Sequence, residues 1–269
     1  MINSPQNRQK VLFSFVFAVA AIFIFGYQFN NGDQEEHLPY VYRLIDNSLY
    51  TNDYIVPLQT TQFTIRFYFA WFIYFLSKLF TVEYSVFGVH FICLMIINWS
   101  VTSMALRRSQ NNWPLLITPV FICVLNNLPV GGNGLLDIQL TCTMPAVALG
   151  LFALNQFDAG HIKFAFLLTG FAACFQVLIG LHLAVLLLLC AVFLRGVYSF
   201  KTILTSFFLF LLTAGPMLFP VLQRQFTQNT GYNHDEYFNI LFLLRNSNHY
   251  APQCFDSFKM ILFIVVAVL

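Results

Sequence analysis

Four side chains that accept or move protons crowd into five positions near the N-terminus: Asp33, Glu35, Glu36 and His37. Carboxylates at this spacing serve as general bases for a hydroxyl nucleophile, or as oxygen ligands for a divalent cation. A plainer role competes with these. Acidic residues are favourable wherever a helix begins, because they meet free amides and the positive end of the dipole. Capping accounts for one or two acids, and less well for three acids and a histidine. Asp33, Glu35 and Glu36 are therefore the candidate catalytic residues, with His37 and Arg43 as candidate substrate contacts. A divalent metal fits the cluster as a cofactor, but the spacing specifies none.

Two further polar segments invite the same question. The segment Arg245-Asn-Ser-Asn-His-Tyr-Ala-Pro252 holds Arg245, His249 and Tyr250, suited to an anionic head group or phosphate. The competing role is an interfacial anchor with a snorkelling arginine. The segment Val130-Gly-Gly-Asn-Gly-Leu-Leu-Asp137 would let backbone approach a ligand closely. It lacks the Lys-Ser/Thr of a phosphate loop, so a flexible turn is the simpler account.

These polar islands stand out because the rest of the chain is apolar. It has 269 residues, of which 58% are hydrophobic and 9% charged, against roughly 25% charged in an average soluble domain. Mean hydropathy is +0.71, and 33 residues are phenylalanine. Such a composition cannot build a polar shell around a core, which excludes a soluble enzyme and a disordered chain. A net charge of +2 offers no basic patch for nucleic acid. The six cysteines show no CxxC and no zinc spacing, and read as small apolar residues.

The expected architecture is all-α: a polytopic helical membrane protein in one transmembrane domain over 1–269. Apolar runs cover 11–29, 64–80, 84–106, 113–128, 140–157, 164–179, 181–194, 203–222 and 260–269. A crossing takes about 20 residues. Arg8 and Lys10 precede the first run, and its small residues lie inside it, so it reads as an uncleaved anchor with a cytoplasmic N-terminus. The run 64–80 carries Arg66, Lys78 and many aromatics, which suits a helix lying in the outer interface. Demoting it lets 84–106 deliver Arg107 and Arg108 to the cytoplasm, as the positive-inside rule asks. The stretch 164–194 would measure roughly 46 Å as one helix, too long for a crossing, and is expected to break near Gly180 into two short arms. About seven or eight spans result, with outer loops at 30–83 and 223–259. Seven basic residues then lie inside against Asp158 alone, and the other acids lie outside. The expected location is the cytoplasmic (inner) membrane. The chain stops within an apolar run, as a fragment of a longer protein would.

Two histidines fall inside spans. His90 and His182 are expected to be hydrogen-bonded structural residues, with Gln176 and His182 flanking the turn at Gly180.

The segment Gly32-Asp-Gln-Glu-Glu-His-Leu-Pro39, with Arg43-Leu-Ile-Asp46 and Asn52-Asp53, resembles the first outer loop of a group of uncharacterised bacterial multi-pass membrane proteins. Arg245–Pro252 resembles that group's Arg-x-Pro-His-His-Tyr-x-Pro, with Ser247 and Asn248 replacing its Pro and first His. The segment 176–187 is similar to its His-Pro-Leu-x-Gly-Leu, with Gln176 and Val177 in place of His-Pro. The group is similar in layout to GT-C glycosyltransferases, which transfer sugars from polyprenyl-phosphate carriers. The resemblance implies a transferase at the outer membrane face. Asp33, Glu35 or Glu36 would activate an acceptor or hold a metal, and Arg245 with His249 would neutralise the carrier phosphate. The expected partners are the bilayer and a polyprenyl-phosphate lipid. A transporter of a neutral or lipid-like substrate is the alternative. The absence of mid-span charges and of repeated halves disfavours ion coupling. A non-catalytic membrane protein is the third possibility.

Overall fold

The longest uninterrupted apolar segments form the longest helices. In the computed structural model, which describes residues 5–126, 134–194, 196–227, 233–240 and 256–268, the described residues contain helices and no strand. The helices are α1 (Pro5–Phe25), α2 (Gln34–Ile45), α3 (Ile55–Thr61), α4 (Phe67–Ser77), α5 (Val82–Arg108), α6 (Pro114–Leu125), α7 (Thr143–Asp158), α8 (Ile162–Phe175), α9 (Val177–Phe193), α10 (Phe200–Thr227), α11 (His234–Phe238) and α12 (Ser257–Val268).

Among the described residues three helices are long and apolar enough to cross a membrane, at Gln6–Phe25, Val82–Arg108 and Phe200–Arg224. α6, α8 and α9 are apolar but only 12, 14 and 17 residues long. The described residues thus establish three membrane-length helices and do not by themselves establish the seven or eight crossings expected. α4 has 11 residues, about 16 Å at the helical rise, which is half a crossing. The break expected near Gly180 falls four residues earlier. Gln176 is extended, with φ −145° and ψ 105°, and separates α8 from α9. Gly180 and His182 lie within α9, and His182 is exposed.

Two cores hold the bundle. One joins Phe17, Ala18 and Ala21 of α1 with Leu38 and Val41 of α2, Phe69 and Ile73 of α4, and Val86, Leu94 and Ile97 of α5. The other joins Ala165, Phe166 and Ala173 of α8 with Ala184 and Leu187 of α9 and Phe210 and Ala214 of α10. α5 packs against α1 and α7, while α8 lies between α7 and α10. The outward faces remain apolar: Phe23, Val120, Phe193 and Phe208 are all exposed. Such exposed apolar side chains are compatible with a lipid bilayer.

Buried polar residues lock α5 to its neighbours. Asn98 donates to Ser14 Oγ across 3.2 Å, joining α5 to α1. At the C-terminal end of α5, Arg107 donates to Asp158 Oδ2 at 2.7 Å, to Asn155 O at 2.9 Å and to Asn155 Oδ1 at 2.6 Å. Arg108 reaches Asp158 as well, and Lys10 lies over the Trp99 ring at 5.3 Å. Three of the seven basic residues that the sequence assigns to one side, Lys10, Arg107 and Arg108, thus lie toward the C-terminal end of α5.

Arg107 and Arg108 differ in what they hold. The Arg107 side chain is half as exposed as that of Arg108 (34% against 67%) and closes the carbonyl end of α7. Arg107→Ala is expected to cost about 1–3 kcal/mol, through charged hydrogen bonds lost to Asn155 and Asp158. Arg108→Ala should cost under about 1 kcal/mol, as an exposed ion pair does. Thermal unfolding of the two variants in detergent checks the order.

Candidate functional site

The site lies at the other end of α5, where the loop after α1, helices α2 to α4 and the loop before α7 meet. Gly32 begins it. At φ +53° it takes the left-handed backbone, and a Cβ there would come within 2.9 Å of the Gln139 amide. The backbone then tightens. Gln34, Glu35 and Glu36 donate to the carbonyls of Asn31, Gly32 and Asp33, three residues back in each case. This 3₁₀-type turn starts α2 at Gln34, three residues before His37, where a proline at position 39, best tolerated in a first turn, would place the helix start. Pro39 sits inside the helix, where its missing N–H leaves the Glu35 carbonyl without the usual helical partner.

Gln34 pins this turn. Its side chain is fully buried, donates to Leu140 O at 3.1 Å and accepts from Asn30 N at 2.7 Å. A backbone bond from Gln28 N to Ile138 O, at 2.8 Å, ties the same two loops. Asn126 holds the second loop in turn. Its Nδ2 donates to Leu136 O at 3.0 Å, and its Oδ1 accepts from Leu136 N at 2.5 Å.

The acidic cluster divides between two clefts. Asp33 lines a cleft of about 210 Å³ with Asp137, Thr141 and Thr143. Its side chain makes no capping bond to α2. Burial pushes the Asp137 carboxyl above the usual carboxylate range. Amides of Gln139 and Ile138 oppose that shift, and the Asp33 charge adds to it. Glu35 and Glu36 line a larger cavity, of about 700 Å³, with Asp53, Gln59 and Arg66. Glu36 pairs with Arg66. Asp53 closes the start of α3, its Oδ1 accepting from Ile55 N at 2.7 Å and Val56 N at 2.9 Å.

His37 is on the buried side of α2. It is 3% exposed, its ring lies 5.4 Å from that of Phe69, and its Nδ1 has no hydrogen-bond partner among the described residues. Burial lowers its pKa to about 4, helped by Arg66 and opposed by Glu36. At neutral pH it is an uncharged imidazole beneath the cluster. Arg43 donates to the Leu49 carbonyl and so holds the turn after α2. The buried face of α2 is Gln34, His37, Leu38, Tyr40 and Val41. The sequence pattern places Leu38, Val41, Tyr42 and Ile45 there, but Ile45 is exposed.

Arg245, His249 and Tyr250 lie outside the described residues, so their relation to the cluster is not part of this geometry. Among the described residues no three His, Cys, Asp or Glu side chains converge as a metal set, and no disulfide joins Cys93, Cys123, Cys142, Cys174 and Cys190. His90 is 1% exposed, packs 5.2 Å from the Tyr27 ring, and leaves its Nδ1 without a partner among the described residues.

Three residues gain importance that sequence reasoning did not give them. Asp137 appears only as the end of a glycine-rich turn, yet it shares the cleft with Asp33. Arg66 appears as an interfacial charge, yet it is the ion-pair partner of Glu36. Gln34 carried no signal beyond a polar residue among acids. Comparison of the chain with family models, with curated proteins and with solved structures finds no match.

Proposed function

We propose that the chain is an integral membrane transferase of GT-C-like layout. It uses the Asp33–Asp137 cleft to deprotonate an acceptor hydroxyl and transfer to it a sugar from a polyprenyl-phosphate carrier. The reading places it in the cytoplasmic membrane with a cytoplasmic N-terminus. α1, α5 and α10 are full crossings, the shorter helices complete seven or eight spans, and α2 to α4 lie at the outer face.

One observation carries the reading: two carboxylates from loops far apart in sequence line one cleft, and burial raises the pKa of one of them. A carboxylate with a raised pKa is the better proton acceptor at neutral pH. In the proposed step the acceptor oxygen loses its proton to this pair and bonds to the anomeric carbon. The bond from that carbon to the carrier phosphate breaks, and the lipid phosphate leaves with the electron pair. Arg245 is the proposed partner of that phosphate.

Asp33→Asn and Asp137→Asn are each expected to lower transfer by about 100-fold or more, the contribution of a general base. Glu35→Gln, in the other cavity, should lower it by less than about tenfold. The assay is glycan or glycolipid formation from radiolabelled polyprenyl-phosphate sugar in membranes expressing each variant. Unchanged product from both aspartate variants rejects the assignment.

A further inference from the structure

The bundle carries an apolar groove that the proposed transfer does not use. α1 and α6 both pack on α5 but touch each other little, and a groove of about 390 Å³ remains between them. Phe13, Phe17, Ala20 and Ile24 of α1 line one wall, and Pro119 and Val120 of α6 line the other. From Phe13 to Ile24 the groove runs about 16 Å at the helical rise, close to half of the roughly 30 Å hydrocarbon core. It is therefore as deep as one leaflet, the depth over which a phospholipid chain lies. The Phe13 end of the groove is basic, which is a separate observation. Lys10 extends the stripe of Phe13, Phe17, Ala20 and Ile24 by one turn, and its ammonium lies 5.3 Å over the Trp99 ring. Arg8 is exposed nearby on the same helix. Arg107 and Arg108 share Asp158, while Lys10 and Arg8 pair with no carboxylate among the described residues. Trp113, exposed at the N-cap of α6, marks head-group depth at this end, where indole rings prefer to sit.

We propose that the groove between α1 and α6 seats one acyl chain of an anionic phospholipid, with the lipid phosphate at Lys10 and Arg8. An apolar channel of leaflet depth that ends in unmatched positive charge complements such a lipid at both ends. A choline lipid brings its own cation to the head-group end and gains less there. A soluble phosphate lacks the chain that fills the groove. This binding needs α1 to cross a bilayer and is independent of transfer at the Asp33–Asp137 cleft.

The test uses the full chain in phosphatidylcholine nanodiscs that contain increasing fractions of a lipid with dibrominated chains, which quench tryptophan. Trp99 and Trp113 report from this end. Brominated phosphatidylglycerol is expected to reach half-maximal quenching at a fraction about tenfold or more below that of brominated phosphatidylcholine, from two basic residues at an anionic head group. Lys10→Gln should cut this preference by about fivefold, the worth of one such residue. Lys163→Gln removes a basic charge from α8 instead and should change it by less than about twofold, because distant exposed charges are screened. Ala20→Leu fills the groove and should weaken phosphatidylglycerol binding by about fourfold or more, the worth of one displaced methylene. Val120→Phe, at an exposed position of α6, fills it from the other wall with the same effect. Glycerol phosphate, the head group without chains, should not relieve the quenching. Asp33→Asn should leave the preference unchanged, so failure of the transfer assay and failure of lipid binding are read separately. Equal quenching by the two lipids, an equal loss in Lys163→Gln, relief by glycerol phosphate, or unaltered binding in folded Lys10→Gln or in the folded groove variants overturns the proposal.

Discussion

Gly180→Ala is expected to destabilise the bundle by about 3 kcal/mol or more, the upper end of overpacking penalties. A Cβ at Gly180 would sit 2.3 Å from the backbone nitrogen of Ala173 and 2.5 Å from its Cα. Backbone cannot swing aside as a side chain does, so α9 would have to separate from α8. The cost then spreads to Ala173, Ala184 and Leu187, which share the core between these helices. Gly88 supplies the control. It is also within a helix, α5, but a Cβ there meets nothing within 4 Å. Gly88→Ala should therefore be neutral or stabilising by up to about 1 kcal/mol, the helix-propensity difference. Monodispersity on gel filtration and thermal midpoints in the same detergent check the pair. Equal midpoints for the two variants would remove the close-approach role of Gly180.

That glycine also shows what the sequence conveys. Its position in a long apolar stretch marks a discontinuity, and a discontinuity exists. But the break is made at Gln176, where an extended residue closes α8 and opens α9. Gly180 serves packing within α9 instead. Periodicity and composition cannot separate these two uses of glycine, since both place a residue without a Cβ in an apolar run. The three membrane-length helices were legible because length and hydropathy suffice to define them. The short helices were not separable into crossings and partial spans by the same criteria.

The candidate site was legible in part. The acids at 33 to 36 announce themselves by charge in a chain with little of it. Their division between two clefts does not, because it depends on which loops dock beside them. Gln34 decides that docking through the Leu140 carbonyl, a contact with no sequence signature. Asp137 follows Leu136, which Asn126 clamps, and this too has no sequence signature. The face of α2 was misplaced for a related reason. Burying Gln34 and His37 rather than Ile45 makes sense only once their surroundings, Leu140 and Phe69, are known.

His37 turns that burial into a pH dependence. Its folded pKa is about 4, against an ordinary value of 6.5. Between these values the unfolded chain binds a proton that the folded chain excludes, so stability rises with pH across this window. The contribution is complete above about pH 6.5. It is lost progressively as pH falls through the folded value, for a total of about 3 kcal/mol. Carboxylates titrate near the lower edge of the same window, so a second variant isolates the imidazole. His37→Phe keeps an aromatic ring against Phe69 and removes both the titration and the unpartnered Nδ1. The difference in thermal midpoint between the native chain and this variant should widen as pH drops from 7 to 4, with the variant the more stable at pH 4. A constant difference across that range would mean that His37 titrates alike in the folded and unfolded chain, and an imidazole so accessible would return to the set of direct substrate contacts. The expected outcome makes it an uncharged ring on the buried face of α2, packed against Phe69.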